Sequence, residues 1–257
     1  MTTIHETAIV DPKAQLGDGV EVGPYCVVGP NVAIGGGTRL MAHVFLEGYT
    51  TIGRDCSIFP GACVGTQTQD LKYKGAKSFV EIGDRTILRE CVTVNSSTED
   101  GEVTRVGSGC FLMAYSHVAH KCDVGDGVIM ANACQLAGHV IVEDRANIGG
   151  VVGVHQFCRI GTMAFVGACS KVAQDVPPYL LVEGNPAEVH GINAVGLQRR
   201  GVPEGTRILL KHAFRLLYRS DLSTRQALDR IRGELTMCPE LEHFIRFIEN
   251  SERGIIK

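Results

Sequence analysis

The sequence has no tryptophan, and aromatic residues make up only 6% of its 257 positions, which excludes a core built on large rings. It has no run near the about 18 consecutive apolar residues that a membrane-spanning helix requires. Met1 to Lys13 is too polar for a signal peptide, so a cytosolic protein without membrane insertion is expected. None of the ten cysteines forms a C-x-x-C pair. That argues against a zinc ribbon or a dithiol redox motif, and a cytosolic location argues against disulfides. Nor is there a charge excess: the formal net charge of −3 exerts no overall pull toward nucleic acid or anionic membrane. The balance is uneven along the chain, however. Residues 1–189 carry 13 Lys and Arg against 20 Asp and Glu, whereas residues 190–257 carry 12 against 8.

What the chain has in abundance is a period of six. Every sixth residue from Ile4 to Val172 is Ile, Leu, Val or Met, save Asp70, Ala76 and Asp100. The following position is glycine in twelve sextets, among them Gly17, Gly35 and Gly125, as expected if the chain turns tightly after the aliphatic. Four residues past the aliphatic the side chain is small or β-branched, and Cys26, Cys56, Cys110, Cys122, Cys134 and Cys158 all share that slot. They read as small apolar fillers. Sextets of this form resemble the hexapeptide repeat of left-handed parallel β-helices. Three sextets then make one triangular coil, residues 18 apart stack, and each coil buries its aliphatics only against its neighbours.

The fold class is therefore mainly β, a left-handed parallel β-helix with a C-terminal α-helical domain. The β-helix is assigned to residues 1–176, with polar insertions at 66–81 and 95–105 that return in phase. Loops on a rigid scaffold are where binding groups concentrate. A Gly/Pro-containing linker is expected over 177–191, and helices over 192–257. Ile208, Leu209, Ala213, Leu216 and Leu217 share a helical face, Ser223 and Gln226 form a capping box, and Pro239 can open a further helix.

Histidine is the side chain suited to proton transfer near neutral pH. On an 18-residue coil His120, His139 and His155 fall within a residue or so of one line on successive coils, with His117 three residues before His120. This ladder is the candidate site. A zinc site is the competing reading, because β-helix hydratases bind zinc through three histidines. Yet residues three apart on a strand point to opposite faces, which makes His117 and His120 a poor chelating pair. No metal and no cofactor is assigned. A non-catalytic solenoid binder is the third reading.

Six ordered runs then carry a closer resemblance. They are Gln69 to Tyr73 (QDLKY), His117 to His120 (HVAH), Leu136 to His139 (LAGH), Val154 to Cys158 (VHQFC), Ala173 to Tyr179 (AQDVPPY) and Gly196 to Gly201 (GLQRRG). Together these resemble the acyl-carrier-protein:UDP-N-acetylglucosamine O-acyltransferases of lipid A synthesis, over essentially the whole chain. The resemblance implies a homotrimer with its sites in clefts between prisms. It implies transfer of a 3-hydroxyacyl group from acyl carrier protein to the 3-hydroxyl of a UDP-sugar. On this reading His120 is the general base and the backbone N–H of Gly138 the oxyanion donor. His117, His139, His155 and Gln156 line the sugar-nucleotide cleft. Asp70 and Lys72 meet the hydroxyacyl group and the phosphate-bearing parts of the substrates, and Asn193, Arg199 and Arg200 hold the nucleotide. Acidic acyl carrier protein is the expected partner of the basic helices.

The sequence departs from the family's pattern in three places. Lys121 follows His120 where the family carries Asp, and Lys accepts no hydrogen bond. Asn95-Ser96-Ser97-Thr98 replaces H-R-G-T, and Val195 replaces a nucleotide-contacting Glu, so a 3-amino sugar is an alternative acceptor. Ala168 and Pro186 occupy positions that set acyl length and differ from a familiar long-chain member.

Overall fold

The computed structural model describes residues 1–257. Short parallel strands, most of them two residues long, form three sheets of eleven, nine and eight strands. The three sheets are the faces of a left-handed β-helix. Face I begins with Thr3–Ile4, face II with Ile9–Val10 and face III with Gln15–Leu16. Residues 18 apart pair in register, as with Thr3 and Glu21 or Ile9 and Val27. The second residue of each two-residue strand points inward, and Val118, Leu136 and Ile148 are fully buried. This column of aliphatics is one continuous core of 44 buried residues.

The corners differ from expectation in one respect. The backbone turns through the left-handed region three residues after the inward aliphatic, as at Lys121 (φ 57°), His139 (φ 61°) and Phe157 (φ 66°), and not, save at Gly65, at the glycine that follows it. That glycine is required by stacking instead. A Cβ on Gly35 would lie 2.6 Å from the carbonyl carbon of Gly53 on the next coil, closer than any side chain could sit. The six predicted cysteines are at most 1% exposed, and the Cys110 and Cys122 thiols donate to the carbonyls of Gly125 and Ala137. Burial pushes Cys122 and Cys134 up to about 12, so they are inert packing groups.

The expected linker is in fact a β-hairpin. Strands Leu180–Gly184 and Ala187–Ile192 pair antiparallel, and the first extends face I through Phe165 and Val166. The Gly-Asn-Pro turn marks the tip of this hairpin, and its apolar run Leu180 to Val182 supplies a further rung. Four helices follow, α1 (Ala194–Arg199), α2 (Glu204–Tyr218), α3 (Thr224–Glu234) and α4 (Pro239–Glu249), with both hydrogen bonds of the Ser223/Gln226 capping box present. They enclose a second core of 13 buried residues, centred on Leu197, Ile231, Leu241 and Phe244. The chain then returns to the prism: Ile255 bridges Asp175, and Ile256 enters the β-helix core. This closes the last coil, whereas Ile4 and Ile9 on the first coil stay exposed.

Candidate active site

Both polar insertions leave the prism where the chain passes from face II to face III. The first joins the strands Cys63–Thr66 and Phe79–Ile82, the second Thr93–Asn95 and Val103–Val106. The same II–III edge carries the corners that follow Val118, Leu136 and Val154. The period of six thus places His120, His139, His155 and the two loops on one edge. The loops are tied together: Ser78 Oγ donates to Ser97 O (2.7 Å), Asn95 Nδ2 to Thr66 Oγ1 (2.8 Å), and the Lys77 N–H to Asp100 Oδ1 (2.6 Å).

His120 sits two residues past Val118, between the loops and the next coil. Its Nδ1 is 3.4 Å from Thr98 Oγ1, and its Nε2 is 3.8 Å from Asp70 Oδ2. Asp70 Oδ1 accepts the Lys72 N–H at 2.9 Å, and this bond leads the influences that hold the Asp70 carboxyl below its ordinary range. Gly138 occupies the same corner position as His120, one coil further on. A Cβ there would fall 2.3 Å from both Cε1 and Nε2 of His120, so the imidazole rests directly on this glycine. No group of the protein accepts from the Gly138 N–H. At the same position of other corners an acidic oxygen does: Ser108 N–H donates to Asp126 Oδ1 (2.7 Å) and Asp126 N–H to Asp144 Oδ1 (2.8 Å). The corner therefore aims its N–H at the place where the side chain 18 residues later can set a negative oxygen, and for Gly138 that residue is the exposed Gln156, which makes no bond to it.

The remaining histidines divide. His139, in the left-handed corner position, sets its ring at 90° to His120 with centroids 5.2 Å apart, and stacks on Phe157 at 4.6 Å. His117 lies on a face II strand and bonds Thr93 through Nδ1 at 2.7 Å. Burial, with electrostatic coupling to the neighbouring His120 as the second cause, pushes both His117 and His139 below their ordinary value. His155 occupies a different corner position and is exposed, with its Nδ1 on the Gln156 carbonyl at 3.1 Å. The three residues are thus neighbours on one edge but not one column. Gln156 continues the column of His120 and Gly138 and is exposed. Lys72, with Lys74, Thr98, Glu99 and Asp100, lines an open cavity of about 640 Å³ between the loops.

The other expected residues lie elsewhere on the chain. Arg199 and Arg200, with Arg145, Asn147 and Asn193, line a cavity of about 260 Å³ where face III passes to face I. Asn193 caps α1, accepting the Gly196 N–H at 3.1 Å and donating to Met163 O at 2.9 Å, so its side chain already has a structural duty. Ala168 and Pro186 are both exposed, the first where face I passes to face II and the second at the hairpin tip. The Gly184 N–H bonds Ser170 Oγ at 3.0 Å and holds that tip near the same edge. One chain therefore does not gather all the expected residues. Sequence reasoning missed Thr98 and Phe157. Phe157 stands 18 residues after His139, which is the signal that could have found it, whereas a loop residue such as Thr98 has no such coordinate.

A left-handed β-helix whose one edge holds an imidazole, an open corner N–H and two polar loops belongs to the hexapeptide-repeat acyltransferases. Residues 1–36 match the bacterial transferase hexapeptide family model, and residues 175–256 match the second domain of UDP-N-acetylglucosamine O-acyltransferases. An acyl-[acyl-carrier-protein]–UDP-N-acetylglucosamine O-acyltransferase of Thermodesulfovibrio yellowstonii is 48% identical over the full length of both chains. The UDP-N-acetylglucosamine acyltransferase of Bacteroides fragilis superposes with a TM-score of 0.97 at 39% identity, covering 99% of this chain and 100% of that one. That of Francisella novicida does so at 0.95 and 40%, covering 98% and 93%. The chain belongs to the acyl-[acyl-carrier-protein]–UDP-N-acetylglucosamine O-acyltransferase family, and it is an acyltransferase.

Proposed function

We propose that the enzyme transfers an (R)-3-hydroxyacyl group from acyl carrier protein to the 3-hydroxyl of UDP-N-acetylglucosamine by direct attack. His120 Nε2 removes the hydroxyl proton as the sugar oxygen bonds to the thioester carbonyl carbon. The carbonyl oxygen becomes an oxyanion and accepts from the Gly138 N–H. Collapse breaks the C–S bond, and the thiolate leaves with the proton that His120 carries. The ester and the free carrier thiol are the products, with no covalent enzyme intermediate. The observation that carries this reading is the seat of the imidazole on Gly138, which presents a base and an unused N–H to one reacting carbon. His117, His139, His155 and Gln156 contact the sugar, while Asp70 and Lys72 hold the hydroxyacyl group and the phosphates.

The site is completed in a homotrimer. Arg199 and Arg200 flank one border of face I, and Ala168 and Pro186 flank the other. Four outward residues of the C-terminal half of this face, Ile87, Phe111, Ile129 and Phe165, are apolar and are interrupted by Asn147 alone, while face III presents Glu81, Arg105 and Asp123 at comparable positions. An apolar face of this kind calls for a cover. Face I of one prism against the II–III edge of the next brings both borders to the histidines, a head-to-tail contact that closes as a ring. The cytosol, where acyl carrier protein is available, is the proposed location.

The test is an assay of hydroxyacyl carrier proteins of several chain lengths against UDP-N-acetylglucosamine and its 3-amino analogue. Ester formation on the first acceptor supports the reading, and turnover of the amino sugar alone overturns it. Mixing His120→Ala subunits with Arg199→Ala/Arg200→Ala subunits tests the assembly. Activity regained on mixing supports a shared site, and its absence in a mixed trimer contradicts it.

A further inference from the structure

We propose that Thr98 is the positioning residue of the catalytic imidazole and works as a hydroxyl relay between Asp70 and His120. The inference rests on the reading of His120 as general base and explains how that base is oriented without an acidic neighbour. Lys121, the next residue, cannot serve. It occupies the left-handed corner position, its N–H is bonded to Thr104 Oγ1 at 2.9 Å, and its ammonium is turned to Glu102 at 3.5 Å.

Thr98 Oγ1 is the one hydrogen-bonding partner that His120 Nδ1 has in the protein, and it also lies 3.4 Å from Asp70 Oδ2. A carboxylate only accepts, so the hydroxyl hydrogen points to Asp70. The hydroxyl lone pair then faces Nδ1, which must carry its proton. This arrangement selects the tautomer whose Nε2 is free to act as base, and Nε2 is the nitrogen resting on Gly138. The two oxygens of Asp70 have separate duties, Oδ1 toward the Lys72 N–H and Oδ2 toward Thr98. When Nε2 takes the sugar proton, Asp70 Oδ2 is 3.8 Å away to balance the new charge. The contacts of Thr98 are at the long end of hydrogen bonding, and catalytic hydrogen bonds commonly shorten when substrate fills the site.

The surroundings hold Thr98 in place. Thr98 as a whole is 8% exposed, and its loop is fastened to the first insertion through Ser78, Ser97 and Asn95. The two insertions thus act on one imidazole from opposite partners, since the first carries the carboxylate, the second the hydroxyl, and the prism the ring itself. In the Asn95-Ser96-Ser97-Thr98 run the first three residues depart from H-R-G-T, and Thr98, which keeps the threonine of that pattern, delivers the hydroxyl.

Thr98→Val removes the hydroxyl while keeping the branched shape, and Thr98→Ser keeps the hydroxyl. The measurements are kcat and KM for both substrates, the thermal melt, and the imidazole nitrogen resonances of His120 in the trimer. Thr98→Val is expected to lower kcat about tenfold, the scale of one hydrogen bond, with KM little changed. Its resonances should show a loss of the Nδ1-protonated tautomer, and Thr98→Ser should restore both rate and tautomer. In a His120→Ala background Thr98→Val should cause no further loss. Wild-type kcat and an unchanged tautomer in Thr98→Val would overturn the relay, as would equal losses in the Val and Ser variants. The two readings separate cleanly. If His120→Ala is inactive but Thr98→Val turns over at the wild-type rate, only the relay fails; if His120→Ala keeps its full rate, the base reading fails first and the relay falls with it.

Discussion

Gly138→Ala isolates the contact on which the mechanism depends. The added Cβ would stand 2.3 Å from Cε1 and Nε2 of His120, against the 3.4–4 Å of ordinary contact, so the ring must retreat by about 1 Å. A displacement of that size costs about 100-fold in rate when it moves a reacting group. The Gly138 backbone lies outside the left-handed region, so alanine fits its conformation, and the N–H is retained. The loss therefore reports the imidazole and not the oxyanion donor. Steady-state rates with hydroxyacyl carrier protein and UDP-N-acetylglucosamine should show kcat reduced about 100-fold. The melt should change by less than about 1 kcal/mol, as for substitutions outside the core. Gly35→Ala makes the same chemical change against the Gly53 backbone, at 2.6 Å, where nothing can rotate away. It should cost about 1–3 kcal/mol of stability and leave kcat of the folded enzyme intact. Wild-type kcat in Gly138→Ala, or a loss of fold there with none in Gly35→Ala, would refute the reasoning.

Three further outcomes follow from burial. Because His117 binds its proton more weakly when folded, at a value below 6.5, the unfolded chain takes up that proton first as pH falls. Stability should therefore decline from about pH 6.5 downward, and thermal melts of His117→Gln should show a shallower decline over the same range. Cys122 and Cys134, pushed up to about 12 by burial, should resist iodoacetamide in the native enzyme and react after denaturation, as read by peptide mass spectrometry. Ile256 is 4% exposed in the last coil, and Ile256→Ala should cost about 2–5 kcal/mol in denaturant unfolding.

The fold was legible because each coil must place an aliphatic inward every six residues, and no insertion disturbed that phase. Glycine was found at the right positions for a different reason, since stacking against the next coil leaves no trace in a single sextet. The run Leu180 to Val182 was hidden because it extends face I beyond the last regular sextet and is followed by Gly184, Asn185 and Pro186, which read as a linker. His120, Gly138 and Gln156 are a true column because they are 18 residues apart, while His155 falls one corner position out of line. The loops were the limit of the period. Nothing in the spacing of Asp70 and Thr98 shows that both fold back onto one imidazole, because their positions are set by bonds between the two insertions. Arg199, Arg200, Ala168 and Pro186 were read as parts of one site, and one prism holds them on different edges.

The central claim is that His120 is the base for acyl transfer, and His120→Ala measures it directly. The rate of ester formation from hydroxyacyl carrier protein and UDP-N-acetylglucosamine should fall about 10²–10⁴-fold, the range of general base catalysis, with the melting profile and trimer unchanged. Transfer at the wild-type rate by the folded variant would contradict the account.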